Sequence, residues 1–238
     1  MCERCWRGVS RRAVLVGAGA LFAANAFAPV PCRAAQPQTK APPEALDPGE
    51  ALDRLRQGNA RYAAGEASRD FAAASVAEAK PQMPIAAVLA CSDDPVPAEL
   101  LFDQAPGALF VIRNAGNIVA ESFLASLEYA VTYLRVPLLL VLGHTNCGAV
   151  ATAFDAVRSR KELPGHLSDL VKAIEPAVIA AHAKHPRDML GVTIEENVRI
   201  NVKRLIEAEP VLSEALAAKT LAVSGGVHDV AGGKVRLI

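Results

Sequence analysis

Pro84-Ile85-Ala86-Ala87-Val88-Leu89-Ala90-Cys91-Ser92-Asp93-Asp94 is the stretch whose reading decides the fold. Its apolar residues run without alternation and stop at a polar cluster. A strand that shows neither face to water has no reason to alternate, so such a run reads as a strand buried on both sides. Two more runs share this form. One covers 109–112 and ends at Arg113-Asn114-Ala115-Gly116-Asn117; the other covers 137–142 and ends at Gly143-His144. Helical periodicity fills the gaps, over 122–133, from Gly148 to about 156, and over 167–206 with breaks expected near Pro176 and Pro186. A turn at Gly225-Gly226 and short strands at 221–223 and 235–238 close the chain. Upstream, 50–65 reads as an amphipathic helix carrying Leu52, Leu55 and Tyr62, and 72–80 as an alanine-rich one. Buried strands alternating with helices define an α/β fold with a mainly parallel sheet.

The 238 residues suffice for one such domain and would cramp two. Hydrophobic residues make up 52% and charged residues 21%, a globular composition. With 25 basic and 25 acidic side chains the formal charge is zero, which leaves no basic footprint for nucleic acid and no polybasic patch for a membrane surface. No G-x-G-x-x-G follows a strand, so a dinucleotide site has no support.

The first residues read as an address. Arg7, Arg11 and Arg12 precede an apolar run over 13–28 that is short for a membrane span but suits a secretory signal. Arg11-Arg12, set between Ser10 and Leu15, resembles a twin-arginine export signal, which implies a periplasmic or secreted protein. The expected division is a signal peptide over 1–34, a Pro-rich linker over 35–46 and a domain over 47–238 with no stable membrane span. The alternative for the first segment is an uncleaved anchor.

Five cysteines are an odd number for a disulfide framework. Cys2, Cys5 and Cys32 fall in the leader, so only Cys91 and Cys147 belong to the domain. His144-x-x-Cys147 offers two ligands from one turn, and Cys91 offers a third. Both clusters lie directly after expected strands, where open parallel sheets build their sites. Two thiolates and an imidazole select zinc over magnesium, calcium or manganese. Small buried thiols, or a disulfide formed after export, are the other readings of the two cysteines. His166, His182 and His185 read as solvated side chains, and His228 as a packing or hydrogen-bonding residue.

Several motifs in order resemble the β-class carbonic anhydrases. They are Gly58-Asn59-x-Arg61-Tyr62, Cys91-Ser92-Asp93, Val96-Pro97-Ala98-Glu99, Phe110 to Asn117, Gly143 to Val150, and Gly225-Gly226-Val227-His228-Asp229. The resemblance implies a sheet of four or five mainly parallel strands flanked by helices, and a homodimer or homotetramer. It implies one Zn²⁺ per chain on Cys91, His144 and Cys147, and reversible hydration of CO₂ to bicarbonate by a zinc-bound hydroxide. Asp93 would orient that hydroxide. Gln82, nine residues before Cys91, and Gly148 would line the substrate pocket.

One departure bears on the chemistry. The family pattern C-S-D-S-R here reads Cys91-Ser92-Asp93-Asp94-Pro95. In the family the arginine holds the aspartate off the metal. Without it Asp93 has an electrostatic reason to become a fourth ligand, closing the site as in structural zinc centres. Asp94 is expected to add negative charge there, with Arg113 as a substitute cation. Three outcomes follow: an enzyme that works with the substitute cation, one that works only at elevated pH when hydroxide displaces Asp93, or a catalytically silent zinc-binding relative with a structural or bicarbonate-binding role.

Overall fold

The computed structural model describes residues 46–68 and 83–238. The expected signal peptide, all but the last residue of the linker, the 72–80 helix and Gln82 lie outside the described residues.

Five strands form one sheet: β1 (Ala86–Cys91), β2 (Leu109–Asn114), β3 (Leu138–His144), β4 (Ala222–Asp229) and β5 (Lys234–Leu237). Their order is β2-β1-β3-β4-β5, parallel except for β5, which runs antiparallel to β4. β1 and β3 sit at the centre and are buried at every position, the reason both read as uninterrupted apolar runs. Seven helices accompany them among the described residues: α1 (Pro48–Ala63), α2 (Ala98–Leu101), α3 (Glu121–Tyr133), α4 (Gly148–Ser159), α5 (Leu167–Ala183), α6 (Met189–Ile206) and α7 (Val211–Ala217). None is long and apolar enough to cross a membrane.

The period-2 alternation of the strands divides the core in two. Ala86, Val88, Ala90, Leu138, Leu140 and Leu142 pack with Leu55 and Phe102 beneath α1. Ala87, Leu89, Cys91, Leu139 and Val141 face the other way, toward Leu127, Ile174 and Val198 of the larger helical layer. Cys91 therefore ends its strand already buried.

The Gly58-Asn59 motif docks α1. A Cβ at Gly58 would lie 1.7 Å from the Phe102 carbonyl oxygen, so only glycine permits this approach. Asn59 donates to the carbonyls of Leu101 (3.2 Å) and Gly233 (2.9 Å) and accepts from the Val235 N–H (2.8 Å), tying the helix to β5. Asp47 caps the helix by accepting from the N–H groups of Gly49 and Glu50, with Pro48 opening the first turn.

Two local expectations fail. Pro176 does not break α5, whose flanking Ile174, Ala177, Val178 and Ala181 are all buried. Burial of that face outweighs the one hydrogen bond a helical proline forfeits; the break falls instead over 184–188, around Pro186. Gly225-Gly226 is not a turn but lies inside β4. A Cβ on Gly225 would meet Val198 and Val202 at 2.8 and 3.0 Å, and one on Gly143 would meet Val198 at 2.7 Å, so these glycines let α6 lie directly on the sheet.

Candidate metal centre

β1 and β3 are neighbours, and their carboxyl ends deliver Cys91 and His144 side by side. The chain then turns through Thr145 and Asn146, the latter in the left-handed region (φ 58°), and presents Cys147 as the N-cap residue of α4. All three side chains are buried, and their ligating atoms lie within 4.8 Å of one another. The two sulfurs are 3.6 Å apart and both thiols are free, so no disulfide joins them.

His144 Nδ1 lies 3.0 Å from the Thr145 carbonyl, which can only accept; Nδ1 therefore carries the proton and the lone pair sits on Nε2. Nε2 is buried without a partner among the described residues. Cys91 Sγ accepts the N–H groups of Gly116 (3.2 Å) and Asp93 (3.4 Å), donors aimed at a thiolate. The Cys147 thiol, hydrogen-bonded to Cys91, lowers the Cys91 pKa, with the two N–H groups adding to the effect against the opposition of burial. Cys147 keeps the shared proton and is raised, by that same bond and by burial. Burial pushes the His144 imidazole down, but the adjacent Cys91 sulfur and the charges of Cys91 and Asp94 outweigh it and the net shift is upward. Two thiols and a pre-oriented imidazole, whose buried Nε2 has no partner among the described residues, form a donor set that fits Zn²⁺ with a fourth position left over.

Asp93 stands outside this set. Its Oδ2 accepts the N–H of Gly148, the first residue of α4, at 2.7 Å. A Cβ at position 148 would lie 2.9 Å from that oxygen. The carboxylate thus sits on a helix N-terminus, where backbone dipoles favour an anion.

The turn beneath it is held independently. Arg113 donates to the carbonyls of Cys91 (3.0 and 3.2 Å), Ser92 (3.3 Å) and Asp94. Asp94 turns inward, accepts the Val96 N–H at 2.9 Å and meets His228 Nδ1 at 2.9 and 3.1 Å. Burial pushes the Asp94 carboxyl up, but the bonds from His228 and Val96 dominate and its pKa is lowered.

The sequence model described as carbonic anhydrase matches residues 86–235. A carbonic anhydrase of Mycolicibacterium smegmatis is 36% identical over 187 residues, covering 77% of this chain and 89% of that protein. Among solved structures, the β-carbonic anhydrase CcaA aligns at 28% identity and a TM-score of 0.60, over 79% of this chain and 91% of its own. A structure from a study of two tetrameric β-carbonic anhydrases of Sordaria macrospora aligns at 27% and 0.60, over 80% and 95%. The chain belongs to the β-carbonic anhydrase family.

Within this β-carbonic anhydrase the structure corrects one expectation about charge. Arg113 is not a counter-ion for Asp93: the register that pairs Ala90 with Arg113 sets its guanidinium against the carbonyls of the Cys91 turn. Asp94 adds its charge as expected, felt at the His144 imidazole, but its carboxylate turns inward to His228 instead of joining the Cys-His-Cys set. His166, His182 and His185 are exposed, as read from their surroundings, and His228 is buried and hydrogen-bonded.

Other contributors went unassigned in the sequence reading. Gly116, at φ 74°, supplies the N–H to Cys91, and Asn197 holds the Gly116 carbonyl at 2.8 Å. Asn201 in turn donates to Asn197 and accepts the Val119 N–H at 2.7 Å. The signal was present: two asparagines four residues apart on the buried face of α6, where polar groups persist only with partners.

Proposed function

We propose that this β-carbonic anhydrase catalyses the reversible hydration of carbon dioxide to bicarbonate, with one Zn²⁺ per chain held by Cys91, His144 and Cys147. The observation that carries this reading is the Asp93–Gly148 hydrogen bond, which engages the carboxylate away from the Cys-His-Cys set. Zinc bound there would supply acidity, bringing the pKa of water down toward about 7. Two thiolates cancel much of the ion's charge, so the chain must contribute as well. Asp93 does so through Oδ1, the oxygen left free to accept a hydrogen bond from the attacking water and aim its lone pair at the carbon of CO₂. Gly148 keeps that carboxylate in place with its N–H. Thr145 fixes the His144 ring, and the Gly116 and Asp93 N–H groups steady Cys91 as a thiolate. Gln82 and Gly148 are proposed to bind substrate, from the family resemblance. A homodimer or homotetramer is the proposed assembly, supported by the tetrameric relative.

The second reading is a silent relative in which Asp93 closes the zinc, with a structural or bicarbonate-binding role. What favours it is Pro95, which leaves Asp93 without a cationic partner among the described residues. Stopped-flow CO₂ hydration by the zinc-loaded protein at pH 7 and 9, beside Pro95→Arg, separates the two. Native activity at pH 7, changed less than about tenfold by Pro95→Arg, is expected for the enzyme. Hydration at the uncatalysed rate at both pH values would sink it, and activity restored at pH 7 only by the arginine would establish closure by Asp93.

Export through the twin-arginine signal, cleavage after Ala34, a linker to 46 and a domain from 47 are likewise proposed, from residues 1–46. Replacing Arg11 and Arg12 together by lysine should hold the protein in the cytoplasmic fraction. Unchanged recovery outside the cytoplasm would refute the signal.

A further inference from the structure

A buried ion-pair candidate lies behind the metal centre and plays no part in the chemistry proposed above. His228 and Asp94 have side chains 0% and 1% exposed, and His228 Nδ1 lies between both carboxylate oxygens. His228 Nε2 has no partner among the described residues. A buried pair of this kind gives no clear advantage in stability over apolar side chains of similar volume, so its presence calls for another explanation.

The connections around it supply one. Asp94 is three residues from Cys91; its N–H donates to the Cys91 carbonyl (3.2 Å), and its Oδ1 accepts from Val96. Holding the Asp94 carboxylate therefore holds the whole turn that carries Cys91 and Asp93. On the other side, β4 pairs with β3 so that His228 lies opposite His144. The His228 carbonyl accepts the Thr145 N–H at 2.8 Å, and Val230 donates to Thr145 Oγ1 at 3.1 Å. Thr145 is the residue whose carbonyl orients the His144 ring. One residue thus grips both ligand-bearing turns, by its side chain and by its backbone.

We propose that His228 is a positioning residue for the metal centre. Acting through Asp94, its imidazole sets the Cys91–Asp93 turn relative to His144, and so tunes metal affinity and ligand geometry without touching metal or substrate. The inference rests on the Cys-His-Cys metal reading.

The test measures zinc affinity of the full chain by competition with a chromophoric chelator, the visible spectrum of the cobalt-substituted protein, and thermal unfolding of the metal-free protein. His228→Leu and Asp94→Ala should each weaken zinc binding by about 10–100-fold, the range for lost partners of metal ligands. Each should also alter the cobalt absorption envelope. The double variant should lose no more than either single, because both cut the same connection. His228→Asn, which keeps a donor near the Nδ1 position, should stay within about threefold of native. Should His228→Leu fail to fold, Asp94→Ala and His228→Asn carry the same comparison. Native affinity and spectrum in Asp94→Ala, additive losses in the double variant, or equal loss in His228→Asn would overturn the proposal while leaving the metal reading intact. A native chain that takes up no zinc would overturn both.

Discussion

Cys147→Ser is expected to strip the zinc from this protein and bring CO₂ hydration down to the uncatalysed rate, with the fold retained. Serine nearly matches cysteine in shape, so the buried N-cap position of α4 loses little packing. What it loses is a thiolate. Structural zinc sites bind with about 10–16 kcal/mol over four ligands, or about 2.5–4 kcal/mol each, so one ligand is worth roughly 10²–10³ in affinity. Metal analysis after dialysis against a chelator checks the first part and stopped-flow the second; one zinc per chain retained in Cys147→Ser would remove this cysteine from the ligand set. The native protein should also bind zinc more tightly as pH rises. Binding needs both sulfurs and the imidazole free of protons. Cys91 has a lowered pKa and releases no proton near neutrality. Cys147 is raised, so its proton must leave throughout the neutral range, and log affinity should climb by about one per pH unit. Where the raised His144 is still protonated the slope should reach about two. A flat affinity profile from pH 6 to 8 would contradict the shared-proton pair.

Asp93→Asn separates the two functional readings by the sign of its effect. Asparagine preserves the shape of the side chain, and its carbonyl oxygen still accepts the Gly148 N–H that now holds Oδ2. Its amide then turns a donor toward the position from which Oδ1 accepts. If Asp93 orients the attacking water, hydration at pH 7 falls by about 10²–10⁴, the usual loss when a positioned proton acceptor is removed, while zinc content stays constant. If Asp93 instead closes the metal, the substitution opens a coordination position and activity rises. Stopped-flow rates with zinc analysis on the same samples read both quantities; a rate within about twofold of native would deprive Asp93 of either role.

Much of the fold is legible along the chain because the central strands need no context. β1 and β3 are buried on both faces, so their sequences are continuous apolar runs, and both end in polar clusters at the edge where parallel sheets place their sites. Cys91, His144 and Cys147 follow from those ends, from ligand spacing and from the motifs the chain carries. Misreadings arise where a local rule meets tertiary packing. Gly225-Gly226 has turn composition, yet lies in β4 because Val198 and Val202 of α6 occupy the space of a side chain. Pro176 has a breaker's chemistry, yet stays helical on a buried face.

The candidate site divides along the same line. Residue types, spacing and the family resemblance together point to two thiols and an imidazole converging, and to a proline where the family carries an arginine. Which way the adjacent carboxylates Asp93 and Asp94 point is decided only in three dimensions. Asp93 goes outward to an N–H 55 positions along the chain, and Asp94 inward to a histidine 134 positions away. Two neighbouring acids look alike in sequence; the partners that separate them arrive from α4 and β4 only once the sheet has closed.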